Sequence, residues 1–147
     1  MERFRGGYPA SIDAKGRLKL PARLREQLDG AYGKELFVCS LFPWELRLFP
    51  LRVWERWEAQ IDARSPFDPL AMKFLELANY GQLVEVDDQG RVLIPQLLRE
   101  AVPLEGEVVV SGRFDHLAVT SRSRATELLG QQTLSREELQ ELARTGR

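Results

Sequence analysis

Asp13-Ala-Lys-Gly-Arg-Leu-Lys-Leu-Pro-Ala-Arg-Leu-Arg-Glu26 returns 74 residues later as Asp87-Asp-Gln-Gly-Arg-Val-Leu-Ile-Pro-Gln-Leu-Leu-Arg-Glu100. Seven of the 14 positions are identical, without a gap: Asp13/Asp87, Gly16/Gly90, Arg17/Arg91, Pro21/Pro95, Leu24/Leu98, Arg25/Arg99 and Glu26/Glu100. An internal repeat has to be read before any single element, because it sets the architecture. This one predicts two structurally equivalent halves and a pseudo-two-fold unit within one chain.

Each copy follows one physical plan. A short extended run leads in, Ala10-Ser-Ile12 or Leu83-Val-Glu-Val86. Asp-x-x-Gly follows. The Asp side chain can accept from the backbone two residues on, and Gly can take the left-handed conformation that closes a hairpin. Gly16 and Gly90 are therefore backbone requirements. In the next run, Leu18 and Leu20 alternate with Arg17 and Lys19, the period of a half-buried strand. Its counterpart is Arg91-Val-Leu-Ile94. Pro21 and Pro95 end these strands and suit the first turn of short helices, predicted over Ala22–Leu28 and Gln96–Val102.

The pattern Gly-Arg-(Leu/Val)-x-(Leu/Ile)-Pro-x-x-Leu-Arg resembles the swapped-hairpin motif of SpoVT-AbrB-like DNA-binding domains. Two copies in a chain of this length, with the opening Phe4-Arg5-Gly6 and paired Asp-x-x-x-Arg motifs at Asp13–Arg17 and Asp87–Arg91, resemble the MraZ family. The resemblance covers nearly the whole chain and is weakest at the C-terminal tail. It implies an α+β fold: two pseudo-symmetric AbrB-like swapped-hairpin β-barrel halves with flanking helices, residues 1–81 and 82–147. It further implies a transcriptional regulator that forms ring-shaped homo-oligomers. Such a protein binds closely spaced, G-rich direct repeats in promoter double-stranded DNA and represses its own division and cell-wall gene cluster.

Composition narrows the alternatives. The 147 residues are 44% hydrophobic and include three Trp, enough for a core. The formal charge of −1 and a pI near 5.9 do not advertise a nucleic-acid binder, so the distribution of charge matters more than its sum. One cysteine, Cys39, excludes an intrachain disulfide, and with a single histidine, His116, no zinc ligand set is recognisable. No cofactor is implied. The N-terminus lacks the apolar stretch of a signal peptide, and no apolar run could span a bilayer. A cytoplasmic, nucleoid-associated protein is the expectation.

Beyond the motifs, Gly30 and Gly33 are expected to bracket a loop. Leu36–Cys39 and Leu46–Phe49 read as strands around a turn at Phe42–Glu45; Val108–Val110 and Leu117–Val119 repeat them. A helix from Pro50 carries Val53, Trp54, Trp57 and Ile61 at helical spacing. A second, capped by Asp68 with Pro69 in its first turn, runs to Tyr80 with Leu70, Phe74, Leu77 and Ala78 on one face. Further helical character lies around Ala125–Leu129, and Ser135-Arg-Glu-Glu138 has capping-box spacing ahead of a last helix.

The scaffold is duplicated but its charge is not. From Ala10 to Leu28, five basic residues (Lys15, Arg17, Lys19, Arg23, Arg25) meet two acidic ones (Asp13, Glu26), a net of +3. From Val84 to Val102, two basic residues (Arg91, Arg99) meet four acidic ones (Glu85, Asp87, Asp88, Glu100), a net of −2. Arg3 and Arg5 add to the positive side. The first copy is thus the expected DNA-facing surface, and the second mainly completes the fold. A two-stranded ribbon fits a major groove, where Arg17 could pair with guanine acceptors. Lys15, Lys19, Arg5, Arg3 and Arg23 are candidates for phosphate contacts, which position rather than specify. A salt bridge from Arg17 to Asp13 is the competing role, and both can coexist if Arg17 swings between them. For Arg91, crowded by Glu85, Asp87 and Asp88, a structural ion pair with Asp87 is the expectation. Arg25 and Arg99 read as duplicated scaffold residues, Arg23 equally as a solvated charge, and the three Trp as core or subunit-interface residues.

No Ser–His–Asp arrangement, P-loop or GxGxxG stands out, and Asp87-Asp88 is accounted for by the repeat and a turn, so an enzyme is not expected. The alternatives are an oligomeric scaffold without DNA specificity and an antitoxin-like regulator. The duplication and the lack of an obvious disordered tail argue against the latter. Salt dependence separates DNA binding from an apolar protein contact.

Overall fold

The structure, a computed structural model, describes residues 3–104 and 106–145. Each half lays down the same order of elements. The first gives β1 (Gly7–Ser11), β2 (Arg17–Lys19), α1 (Ala22–Ala31), β3 (Glu35–Phe42), β4 (Glu45–Pro50), α2 (Leu51–Asp62) and α3 (Pro69–Ala78). The second gives β5 (Gln82–Glu85), β6 (Arg91–Leu93), α4 (Gln96–Ala101), β7 (Glu107–Gly112), β8 (Leu117–Ser121), α5 (Arg122–Gln131) and α6 (Arg136–Thr145). The class is α+β. A six-stranded antiparallel sheet runs in the order β1-β7-β8-β4-β3-β5, and β2 and β6 form a separate antiparallel pair.

The halves exchange strands. β1 pairs with β7 of the second half, and β5 with β3 of the first, while β4 and β8 join the halves at the centre. Swapping every strand for its repeat twin maps the sheet order onto itself. The turn expected after each lead-in strand is formed, but the ladder beyond it is not local. Among the described residues, the isolated Ile12–Leu18 bridge is what joins the two runs of the first copy. A three-residue strand offers one inward side chain. Pairing β2 with β6 sets Leu18 opposite Val92, and both are completely buried.

That pair crowns the main core. The twins Leu18/Val92, Leu20/Ile94, Leu24/Leu98 and Leu28/Val102 are all at most 3% exposed. Each such side chain stabilises the fold by roughly 1.5–3 kcal/mol. A smaller core, Cys39, Phe49, Val53 and Trp54, lies where α2 and α3 pack on β3 and β4. There Trp54 stacks between Phe37, at 4.3 Å, and Phe74, at 5.5 Å.

Several boundaries differ from the sequence expectation for local reasons. Gly30 lies inside α1; Gly33, with φ +91° and its N–H on the Leu28 carbonyl, ends the helix instead. The Asp68 cap is formed, its carboxylate accepting from Leu70 and Ala71, but the helix stops at Ala78. Its most buried residue is Ala71, in register with Phe74 and Ala78, because a small residue lets the helix approach the sheet. Leu70 is left exposed. On α2, Val53 and Trp54 are buried, while Trp57 and Ile61 lie at the margin. Trp44 lies half-exposed in the β3–β4 turn. The Ser135 capping box is reciprocal: Ser135 N–H donates to Glu138 Oε1 at 2.9 Å, and Glu138 N–H to Ser135 Oγ at 3.0 Å.

Candidate nucleic-acid interface

The β2–β6 pair is a ribbon with one buried and one outward face. Its register sets Arg17 opposite Leu93, Leu18 opposite Val92, and Lys19 opposite Arg91. Side chains alternate faces along a strand, so with Leu18 and Val92 inward, Arg17, Lys19, Arg91 and Leu93 share the outer face. The ladder continues at both ends: Ile94 N–H donates to the Gly16 carbonyl at 2.8 Å, and Leu20 N–H to the Gly90 carbonyl at 2.9 Å. Each turn is thereby tied to the strand end of the other copy.

The turns themselves are built alike. Asp13 Oδ1 accepts from the N–H groups of Lys15 (3.0 Å) and Arg17 (2.9 Å), and Gly16 N–H donates to the Asp13 carbonyl at 2.9 Å. Asp87 repeats this with Gln89 and Arg91, both at 2.9 Å. Gly16 and Gly90 have φ of +85° and +77°, conformations that L side chains avoid. A second constraint crosses between copies. A Cβ on Gly16 would collide with the Arg99 guanidinium, and one on Gly90 would meet Arg25 Nη1 at 2.8 Å. Arg25 also donates to the Asp88 carbonyl at 2.9 Å, and Arg99 to the Ile94 carbonyl at 3.0 Å. These two arginines act as scaffold, each lying over the other copy's turn.

The signature arginines are held by their aspartates. Arg17 Nε donates to Asp13 Oδ2 at 2.9 Å, and Arg91 Nε to Asp87 Oδ2 at 3.2 Å. Both carboxyls are pulled below the usual aspartate range, Asp13 chiefly by the Arg17 backbone N–H and Asp87 chiefly by that of Arg91. The Asp13 link uses Nε alone. Among the described residues, Arg17 Nη1 and Nη2 have no hydrogen-bond partner. Lys19 and Arg91 stand directly opposite, a like-charge arrangement that destabilises a sheet unless an anion relieves it.

The remaining candidates are spread out. Lys15 is exposed in the first turn, and Arg23 on the first turn of α1. Gln27, one helical turn beyond Arg23, donates to the Arg3 carbonyl at 3.1 Å, and the Arg3 guanidinium lies 5.1 Å from the centre of the Phe114 ring. Arg5 is exposed just before β1, at the opposite end of that strand from the Asp13 turn. The ribbon therefore gathers Lys15, Arg17 and Lys19 but not Arg3 or Arg5. Joining Arg91 and Leu93 to the first copy's cations was missed from sequence. The period-2 alternation in both copies, combined with a two-fold axis through the Leu18–Val92 pair, was the available signal.

Elsewhere the polar chemistry is structural. Buried Glu45 pairs with Arg47 at 2.7 Å and Arg113 at 3.4 Å, linking the two halves. Burial lowers the pKa of His116, which contacts Asp115 and Arg47. Burial pushes the Cys39 thiol up to about 12, which makes it inert as a nucleophile at neutral pH. Among the described residues, no group of His, Cys, Asp or Glu could hold a metal ion, and no helix is long and apolar enough to cross a membrane.

A sequence model of the family described as "MraZ protein, putative antitoxin-like" matches residues 3–77 and again 80–144, one match for each half. The chain belongs to the MraZ family. Similar relatives carry the name "Transcriptional regulator MraZ". That of Acidobacterium capsulatum is 39% identical over 144 residues, 97% of this chain and 99% of the relative. That of Koribacter versatilis is 45% identical over 118 residues, 79% and 80% of the two chains. That of Marinomonas sp. is 34% identical over 142 residues, 95% and 93%. The name these MraZ relatives share is that of a regulator, not of an enzyme.

Proposed function

We propose that this MraZ-family chain is a sequence-specific DNA-binding transcriptional regulator that reads a major groove with the β2–β6 ribbon. The observation that carries this reading is the outer face of the ribbon, with Arg17, Lys19 and Arg91 gathered over the buried Leu18–Val92 pair. Two strands are about 4.8 Å apart, so the ribbon with its side chains suits a groove about 12 Å wide. Asp13 orients Arg17 through Nε, and the free Nη edge is the part of a guanidinium that pairs with guanine O6 and N7. The two roles weighed for Arg17 thus coexist without the side chain moving. Lys15 and Lys19 take phosphates beside it. Arg91 relieves its crowding against Lys19 by joining them on the DNA, beyond its ion pair with Asp87. Arg23, Arg3 and Arg5 serve as outlying phosphate contacts.

The strand exchange supports reading residues 1–81 and 82–147 as two swapped-hairpin halves of one barrel-like unit. In keeping with the family resemblance, the protein acts in the cytoplasm at the nucleoid. There it binds closely spaced, G-rich direct repeats ahead of its own division and cell-wall gene cluster and represses that cluster. One ribbon per chain gives modest affinity, and a ring-like homo-oligomer gains by avidity. Exposed Leu70, Met72 and Leu75 on α3, beside a cleft of about 870 Å³ between α2 and α3, favour that helical layer as a subunit contact.

Titration of the protein against its own upstream DNA at two salt concentrations, beside an Arg17→Ala variant, tests the reading. The expected result is specific binding that weakens steeply with salt, by a log–log slope of about −0.9 per phosphate contact, and that is lost in the variant. Salt-insensitive oligomers without specific binding would favour the scaffold alternative.

A further inference from the structure

Leu93 interrupts an otherwise cationic face. It is 55% exposed, yet it shares the outer face with Arg17, Lys19 and Arg91. Its repeat twin is Lys19, so the two-fold-related position of the same scaffold carries a cation. Covering Leu93 with another protein surface would strip water from Lys19, which has no ion-pair partner among the described residues, and from the guanidinium edges of Arg17 and Arg91 that their aspartates leave free, which is costly unless they are paired. A partner that satisfies the cations and also offers a small apolar group fits all four residues. The major-groove edge of DNA does so, since thymine alone presents a methyl group there.

We infer that Leu93 is a specificity-determining residue that packs on the 5-methyl group of a thymine next to the guanine read by Arg17. The inference rests on the DNA-binding reading above and deepens it. Directly opposed residues on an antiparallel pair have Cβ atoms about 4.5–5.5 Å apart. Successive bases on one strand are about 3.4 Å apart. A side chain beside Arg17 therefore reaches the neighbouring base pair rather than the same one. The two ends of the ribbon then read DNA differently: Arg17 with Leu93 takes guanine beside thymine, while Lys19 with Arg91 takes purely polar groups. A pseudo-symmetric scaffold gains a direction on the duplex in this way, which binding to direct rather than inverted repeats requires.

The test uses the full-length protein and duplexes it enriches from a randomised library. Each thymine of the enriched site is replaced singly by deoxyuridine, which removes the methyl group and nothing else. For the wild type, one replacement next to a guanine should weaken binding roughly fourfold, the worth of one buried methyl group. In Leu93→Ala the same replacement should have no effect. Leu93→Lys, which copies Lys19, should lose the preference for thymine at that position, read as equal affinity for the thymine and deoxyuridine duplexes. Melting curves check that both variants are folded, as an exposed position allows. A wild type indifferent to deoxyuridine at every position, or a penalty that persists in Leu93→Ala, would overturn the inference and leave the DNA reading standing. Failure of the wild type to enrich any sequence would overturn both.

Discussion

The two copies, Asp13–Glu26 and Asp87–Glu100, differ at seven of their 14 positions, and the structure sorts those differences by exposure. Leu18/Val92 and Leu20/Ile94 are buried and remain apolar. The other five pairs, Ala14/Asp88, Lys15/Gln89, Lys19/Leu93, Ala22/Gln96 and Arg23/Leu97, are exposed in both copies. Six of the seven identical pairs build the turn, end the strand, fill the core or lie over the opposite turn; the seventh, Glu26/Glu100, is exposed in both copies and nothing in the structure explains its identity. One chain thus carries its own control experiment: the scaffold is what both copies share, and the surface is where they diverge. Arg17 and Arg91 belong to both sets, since each ties to its turn aspartate and each stands on the outer face.

The scaffold half of that comparison predicts the largest effect. Leu18→Ala should destabilise the protein by about 2–5 kcal/mol, and Val92→Ala by less because fewer methyl groups are lost. Leu18 and Val92 face each other at the two-fold axis, so the pair should be non-additive in a double-mutant cycle read by urea denaturation. Independent, additive losses would break the picture of one shared core under the ribbon.

The surface half comes next. Arg17→Ala should abolish discrimination of the operator from other DNA, each bidentate base contact being worth about 1–3 kcal/mol, with stability changed by less than about 1 kcal/mol, as befits an exposed ion pair. Arg91→Ala should also weaken binding, but by less and more evenly across sequences. Its effect on stability should be close to nil, because the lost Asp87 link is offset by relief of the repulsion from Lys19. A loss of stability without loss of affinity in Arg91→Ala would restore the purely structural role expected from sequence. Arg25→Ala and Arg99→Ala form the matched control: each should cost about 1 kcal/mol of stability and leave operator discrimination unchanged. Unequal losses in melting experiments would show that the crossing of arginines over the opposite turns is not symmetric.

Much of this was legible in the sequence. The repeat, the Asp-x-x-Gly turns, the strand-ending prolines and the capping box at Ser135 follow from local chemistry, and local chemistry is what a sequence displays. Strand pairing is a different matter. Lead-in and second runs sit side by side in sequence, so the residues alone suggest a local hairpin, and only the family resemblance implies an exchange. The exchange of β1 and β5 between halves depends on burying Leu18 against Val92 across 74 residues. The face of α3 was misjudged for a related reason: Leu70 and Ala71 are equally compatible with an amphipathic helix, and only the distance to Trp54 and the sheet selects the smaller residue. Among the candidate residues, Lys15, Arg17 and Lys19 stand out in the sequence by charge, and the structure places all three on or beside the ribbon. Arg91 and Leu93 join them through a register that no local pattern encodes.

The smallest effect tests whether the two turns are equivalent in their electrostatics. Asp13 and Asp87 are both held below the ordinary aspartate pKa of about 3.9, in each case first by the backbone N–H of the following arginine. A carboxyl whose folded-state pKa is depressed contributes stability in full above its unfolded-state pKa, and that contribution is lost as pH falls through the folded-state value. Both turns should therefore be fully formed at neutral pH and weaken below about pH 4. Asp13→Asn and Asp87→Asn keep an oxygen acceptor for the backbone but remove the charge, so each should flatten the acid limb of stability measured by urea melts between pH 7 and pH 3. Other carboxyls with lowered pKa, Asp68 and Glu138, titrate in the same range, so the difference between variant and wild type is the quantity to read. Asp13 holds its arginine at 2.9 Å and Asp87 at 3.2 Å, so the larger flattening should come from Asp13→Asn. The reverse order would mean that the second turn, not the first, depends more on its charged pair, and the division of labour between the copies would have to be redrawn.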